Sequence, residues 1–204
     1  YIDIEVEGTN NFYAGNFGLV NIHNCGVGID ISTLRPEGMA VNNAAGTTSG
    51  AWSFADFFSY VTRMVGQFGR RGAALISMAG NHPDVAKFAV MKRDLVKVTG
   101  ANVSIKLSDE FLKAVENDEE YEQKFPVDSD TPQFSRKVKA REVWNVIVES
   151  ATKFAEPGLL LWDNIINNLP AHVYPEFKTI STNSLIPIRQ LWIRRSMCLL
   201  FMPM

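Results

Sequence analysis

The 204-residue sequence is poor in the residues that build disulfides and metal sites. It holds two cysteines, Cys25 and Cys198, and three histidines. Two cysteines cannot form a disulfide framework and suit a reducing compartment, so a cytoplasmic protein is expected. No cluster of His, Cys and carboxylates has metal-ligand spacing, so no metal site is expected. An excess of one charge is also missing: 20 Lys plus Arg against 22 Asp plus Glu leave a formal net charge of −2. That balance gives no electrostatic case for nucleic acid or an anionic membrane. No apolar run approaches the roughly 20 residues that a spanning helix needs. The opening "YIDIEVEG" is acidic and alternating, unlike a signal peptide. Its first residue is Tyr1, not Met, which suggests a fragment or a processed product.

What is present is an ordinary globular composition, 46% hydrophobic and 21% charged. The length suits one sizeable domain, alone or with a small appendage. "IDIEVEG", "NFYAG" and "FGLVNIH" read as three short strands, a β unit too small to hold a core alone. From Gly26 the character changes. "GVGIDI" reads as a strand, and residues 32–50 as a long polar loop of the kind that is usually functional or disordered. Ser53 is a candidate N-cap. Behind it, Phe54, Phe57, Phe58, Val61, Met64, Val65 and Phe68 fall on one face of a helix. "AALISM" and "ANVSIKL" read as buried strands. Between them "NHPDVAKFAVMK" reads as a helix, with Pro83 in its first turn and Asp84 near its positive end. Ser108 caps "DEFLKAVEND"; a charged linker spans 117–137; a long amphipathic helix covers "AREVWNVIVESATKFA". "LLLW" and "FKTIST" complete the strands. Strands alternating with helices predict an α/β fold.

Three adjacent residues, His23-Asn24-Cys25, carry a recognisable chemistry. An Asn side-chain amide can attack its own backbone carbonyl and close a succinimide, cutting the Asn24–Cys25 bond. His23 would donate the proton, and the Cys25 thiol would act earlier as a nucleophile on an upstream thioester. In context, "YIDIEVEGTNNFYAG" and "GLVNIHN" followed by Cys resemble the C-terminal end of an intein. The resemblance implies a small all-β remnant over residues 1–24, with protein splicing or C-terminal cleavage at Asn24. Inteins often carry His before "NF", where this sequence has Asn10.

Residues 26–183 resemble a second family, the large subunit of ribonucleotide reductase. The resemblance rests on "GVGIDISTLRPEG", "AAGTTSGAWSF", "QFGRRGAAL", "NHPDVAKFAVMK", "DLVKVTGANVSIKLSDEFLKAV", "KAREVWNVIVESA", "AEPGLLLWDNI" and "YPEFKTISTN". "HPD" followed by "TGAN" and Ser104 favours the adenosylcobalamin-dependent class II enzymes. The resemblance implies the first half of a ten-stranded α/β barrel over 25–183. It implies a ribonucleotide substrate, a thiol reductant, adenosylcobalamin as cofactor, a dNTP or ATP effector, and a homodimer in the complete enzyme. It also implies site residues: Arg35 on an effector phosphate, Arg70 and Arg71 in the loop that reports effector identity, Gly26 lining the substrate site, and Asn183 holding the ribose. Apart from the family, Arg70 and Arg71 read as a solvated turn. A non-catalytic nucleotide-binding remnant is a further alternative.

The resemblance stops at Asn183, where the radical-bearing Cys and its neighbouring Glu would follow; Ser184-Leu185-Ile186-Pro187 stand there instead. Residues 184–204 hold three Arg and no acid. They read as a shifted reading frame, a degenerate enzyme, or a basic amphipathic helix. The fragment is therefore expected to be inactive by itself.

Overall fold

The computed structural model describes the backbone of residues 11–14 and 20–23, and residues 26–64, 73–94 and 96–168. The expected strands "IDIEVEG" and "FKTIST" and the tail after Asn183 lie outside them. Two short strands, β1 (Asn11–Ala14) and β2 (Val20–His23), form an antiparallel pair with each other. No other described strand joins them.

The next four strands in the large sheet are parallel: β3 (Gly26–Asp30), β4 (Ala73–Ala79), β5 (Ala101–Leu107) and β8 (Gly158–Leu161). Their order in the sheet is their order in the chain. Right-handed crossovers that never reverse direction put every connecting helix on the same face, which is how a barrel wall is wound. The core agrees. Ile31, Ala74, Ile76, Met78, Val103, Ile105, Leu107 and Leu159 point to one face and pack with residues of four helices. These helices are α1 (Ala51–Met64), α2 (Val85–Val90), α3 (Asp109–Glu116) and α4 (Ala140–Phe154). A fifth, α5 (Trp162–Asn168), follows β8 and was not apparent in the sequence.

Helix α1 departs from the expectation in two ways. It begins at Ala51, so Ser53 lies inside it, with its hydroxyl donating to Gly50 O at 2.8 Å. Its buried residues are small, Ala51, Ala55 and Ser59. Much of the large stripe faces outward: Phe57 is 60% exposed and Met64 66%, with Phe54 and Val61 beside them; Phe58 packs against the core, and Val65 and Phe68 lie outside the described residues. Close approach explains the inversion. A Cβ on Gly100 would sit 2.6 Å from Ser59 O and 2.4 Å from Arg63 Cγ. The helix thus rests its small face directly against the turn before β5, where Gly100 N donates to Ser59 Oγ at 2.8 Å.

The expected charged linker is a hairpin, β6 (Glu120–Phe125) against β7 (Phe134–Lys139). Its acidic residues face water, while Tyr121, Gln123 and Phe125 alternate inward. Tyr121 meets Phe111 edge-on at 5.0 Å, and burial raises the pKa of its hydroxyl. Ser108 caps α3 as expected, accepting from Phe111 N at 3.1 Å. Helix α2 is shorter than expected, and a 3-10 turn, Met91–Arg93, continues it.

Candidate functional site

The sheet face away from α1–α4 carries Leu75 and Leu160 together with a polar cluster. Period-2 alternation and the strand register put Asp30, Ser77 and Ser104 side by side across β3, β4 and β5, with Lys106 two residues further along. Lys106 Nζ lies 3.1 Å from Asp30 Oδ2, with the two side chains 8% and 7% exposed. Ser32 Oγ and Ser77 Oγ donate to Asp30 Oδ1 at 2.7 and 3.2 Å. Ala79 N donates to Ser32 Oγ at 2.8 Å. The Lys106 ammonium also sits 4.7 Å from the centre of the Trp162 ring. Charges this buried persist only when paired and hydrogen-bonded. The result is an internally neutral, hydrogen-bonding floor at the carboxyl ends of three parallel strands. Open parallel sheets bind their ligands at those ends. Sequence reasoning missed this cluster. The available signal was a lone charge inside each of two apolar runs, "GVGIDI" and "NVSIKL".

The loop that leaves β3 carries Arg35, which is exposed. The loop is ordered by its own bonds: Gly38 N to Thr48 O at 3.0 Å, Thr48 N to Met39 O at 2.9 Å, and a bridge between Ala40 and Thr47. Glu37 accepts from Trp52 Nε1 at 3.0 Å and pairs with Lys87. The Lys87 hydrogen bond is the main cause that lowers the Glu37 pKa, and the Trp52 bond adds to it. Asp84, expected to serve its own helix, makes no side-chain cap there. Its carboxylate crosses to α1 instead and accepts from Ala51 N at 2.9 Å.

Gly26 opens β3 opposite Ala73, at the far end of the strand from the Arg35 loop. Four strand steps, about 13 Å, separate Gly26 from Asp30, so Gly26 and Arg35 flank different ends of the sheet. His23 ends β2, its backbone opposite Asn11. Asn24, Cys25, Arg70, Arg71 and Asn183 lie outside the described residues.

An open cavity of about 490 Å³ lies between α1 and α2, lined by Glu37, Trp52, Lys87, Met91, Arg93 and Lys97 among others. Its lining carries both signs of charge. Among the described residues no group of three or more His, Cys, Asp or Glu is placed to hold a metal ion. No described helix is long and apolar enough to cross a membrane.

Comparison with known proteins agrees with this geometry. The family pattern "Ribonucleotide reductase, barrel domain" matches residues 12–184. The match begins before the Asn24–Cys25 bond and ends one residue past Asn183. The vitamin B12-dependent ribonucleoside-diphosphate reductase of Thermoplasma acidophilum is 34% identical over 157 residues, covering 76% of this chain and 20% of that protein. The enzyme of the same name from Mycobacterium tuberculosis is 31% identical over 142 residues, 69% of this chain and 20% of that protein. The vitamin B12-dependent ribonucleotide reductase of Rhodopirellula baltica is 26% identical over 184 residues, 78% of this chain and 17% of that protein. The chain thus spans about a fifth of the length of these relatives.

Proposed function

The chain belongs to the ribonucleotide reductase family through its barrel domain, and on that premise we propose that residues 25–183 form the first half of the enzyme's ten-stranded barrel. The observation that carries this reading is the one-sided sheet. Strands wound in chain order place all four core helices outside and leave Asp30, Ser77, Ser104 and Lys106 on the inner wall. In the complete enzyme that wall faces the space where ribonucleotides are reduced to deoxyribonucleotides by a thiyl radical. Asn183 lies on the substrate side, and Arg35, Arg70 and Arg71 respond to a bound nucleotide effector. Arg suits that role because its planar fork matches phosphate oxygens.

The relatives' names favour adenosylcobalamin as the radical source, with a thiol reductant. The 490 Å³ cavity beside Glu37, Trp52 and Lys87 is too small for a corrinoid and is lined by charged side chains. Ser184, and no cysteine, directly follows Asn183, and on this reading the chain by itself turns nothing over. Incubating it with adenosylcobalamin, dithiothreitol and CDP yields no dCDP; formation of dCDP would overturn that statement. Titrating dATP against wild type and Arg35→Ala tests the effector role. Weaker binding in the variant is expected, and equal or absent binding refutes it.

The outward stripe of α1 supports a homodimer. An apolar helix face is self-complementary when a second copy packs on it across a two-fold axis. Sedimentation should show concentration-dependent dimers that Phe57→Glu with Met64→Glu abolishes; a monomeric wild type refutes this.

A second reading concerns residues 1–24. The β1–β2 pair shares no strand pairing with the parallel sheet and ends at His23, which supports an intein remnant that cleaves at Asn24. Mass spectrometry after incubation should show loss of residues 1–24 in wild type and not in Asn24→Ala. An intact mass in both contradicts it.

A further inference from the structure

The segment Asn81-His82-Pro83-Asp84 connects β4 to α2 and does far more bonding than a connection needs. Its residues alternate between two neighbours. Asn81 and Pro83 hold the β6–β7 hairpin: Lys124 N donates to Asn81 O at 2.8 Å, Asn81 Nδ2 to Val127 O at 3.0 Å, and an Arg136 guanidinium N–H to Pro83 O at 2.6 Å. His82 and Asp84 hold the Arg35 loop. His82 is fully buried. Its Nδ1 accepts from Asp84 N at 3.0 Å, so its Nε2 carries the proton and donates to Leu34 O at 2.9 Å. Asp84 accepts from Glu37 N at 3.1 Å and from Ala51 N at 2.9 Å.

The two fixed points bracket Arg35. Leu34 is tied immediately before it, and Glu37 two residues after it. The loop's other end is tied through Ala51 to the same carboxylate. Gly50 makes room for this: its φ is +96°, and a Cβ there would lie 2.7 Å from Asp84 Oδ2. A buried carboxylate that accepts backbone N–H groups from two sites far apart in sequence pins both.

We propose that His82 and Asp84 are positioning residues that fix the Arg35 loop for a nucleotide phosphate. This rests on the reading of Arg35 as a phosphate-binding residue. The bonds leave the arginine free in solvent while removing the freedom of the backbone that carries it. Preorganisation of that kind raises affinity by sparing the ligand the cost of ordering the loop.

The test uses the 204-residue chain, hydrogen exchange read by mass spectrometry, and dATP titration. In Asp84→Ala, amides in residues 37–51 should exchange about tenfold faster or more, as expected for loss of a charge-assisted bond. Amides of β4 and β5 should keep their protection. The dATP affinity should fall about tenfold. In an Arg35→Ala background the same change should have almost no further effect, because the loss acts through Arg35. Asp84→Asn keeps one oxygen acceptor in place and should restore most of the affinity and of the exchange protection. Unchanged exchange over 37–51 in a folded Asp84→Ala, or in Asp84→Leu if Asp84→Ala does not fold, would overturn the latch. A loss additive with Arg35→Ala would overturn positioning through Arg35. If the wild type binds no dATP, the phosphate role of Arg35 fails, and positioning for phosphate fails with it. The exchange data then still decide whether Asp84 holds the loop.

Discussion

Replacing Lys106 by Met is the sharpest probe of the polar wall. The substitution keeps an apolar stem of similar length and deletes the ammonium, which sits 4.7 Å from the centre of the Trp162 ring. Lys106 Nζ and Asp30 Oδ2 are 3.1 Å apart and both side chains are under a tenth exposed. At an effective dielectric near 20 their attraction is about 5 kcal/mol before desolvation is subtracted. Removing one partner of such a pair strands a buried charge and costs about 3–5 kcal/mol. Asp30 retains the hydroxyls of Ser32 and Ser77, which keeps the loss near the lower end. For a chain of this length that corresponds to a fall in Tm of about 6–20 °C. Asp30→Asn added to Lys106→Met removes the stranded charge, and the double variant should return to within about 1 kcal/mol of wild type. Urea unfolding followed by tryptophan fluorescence, on wild type, both single variants and the double, closes the cycle. If Lys106→Met costs less than about 1 kcal/mol, or the double variant is as unstable as the single one, the pair does not organise this face.

Further outcomes follow from other features. Burial lowers the pKa of His82, against opposing effects of the Leu34 carbonyl and of Asp84 and Asp30. The unfolded chain takes up this proton near about pH 6.5 and the folded chain only at lower pH, so stability should fall as pH drops below that value. The slope contributed by His82 is at most about 1.4 kcal/mol per pH unit, and His82→Gln should flatten it in urea midpoints measured at pH 7.5 and 5.5. A stability that rises over that interval would contradict the buried neutral ring. Gly100→Ala should force α1 away from the sheet and cost about 1–3 kcal/mol; an unchanged Tm would show that the contact with Ser59 and Arg63 yields freely.

The parallel strands were legible because each is a short apolar run bounded by Gly or turn residues, as "AALISM" is; "LLLW" is a strand only to Leu161, since Trp162 opens α5. The caps were legible where one residue serves its own helix, as Ser108 does. Legibility failed where a contact joins distant segments. Nothing near Ser53 says that the N-terminus of α1 is capped by Asp84, 33 residues away. The phenylalanine stripe predicts a buried face, yet of its described residues only Phe58 packs against the core, while the fully buried side is Ala51–Ala55–Ser59, whose Ser59 approaches Gly100 closely. In the hairpin, acidic residues mask the alternation of Tyr121, Gln123 and Phe125. The candidate site was legible in the same uneven way. Arg35 stands in a recognisable loop, but Asp30 and Lys106 meet only through the register of three strands.

The central claim is that the sheet described here is a working wall of a nucleotide-reducing barrel. Its most direct test replaces the corresponding segment of the Thermoplasma acidophilum reductase with residues 26–183 and follows adenosylcobalamin-dependent conversion of CDP to dCDP, the radical cysteine being supplied by the host. The account predicts dCDP from the graft and a marked loss when Asp30→Ala is introduced. A graft that folds and unfolds cooperatively like its host, yet makes no dCDP, would contradict it.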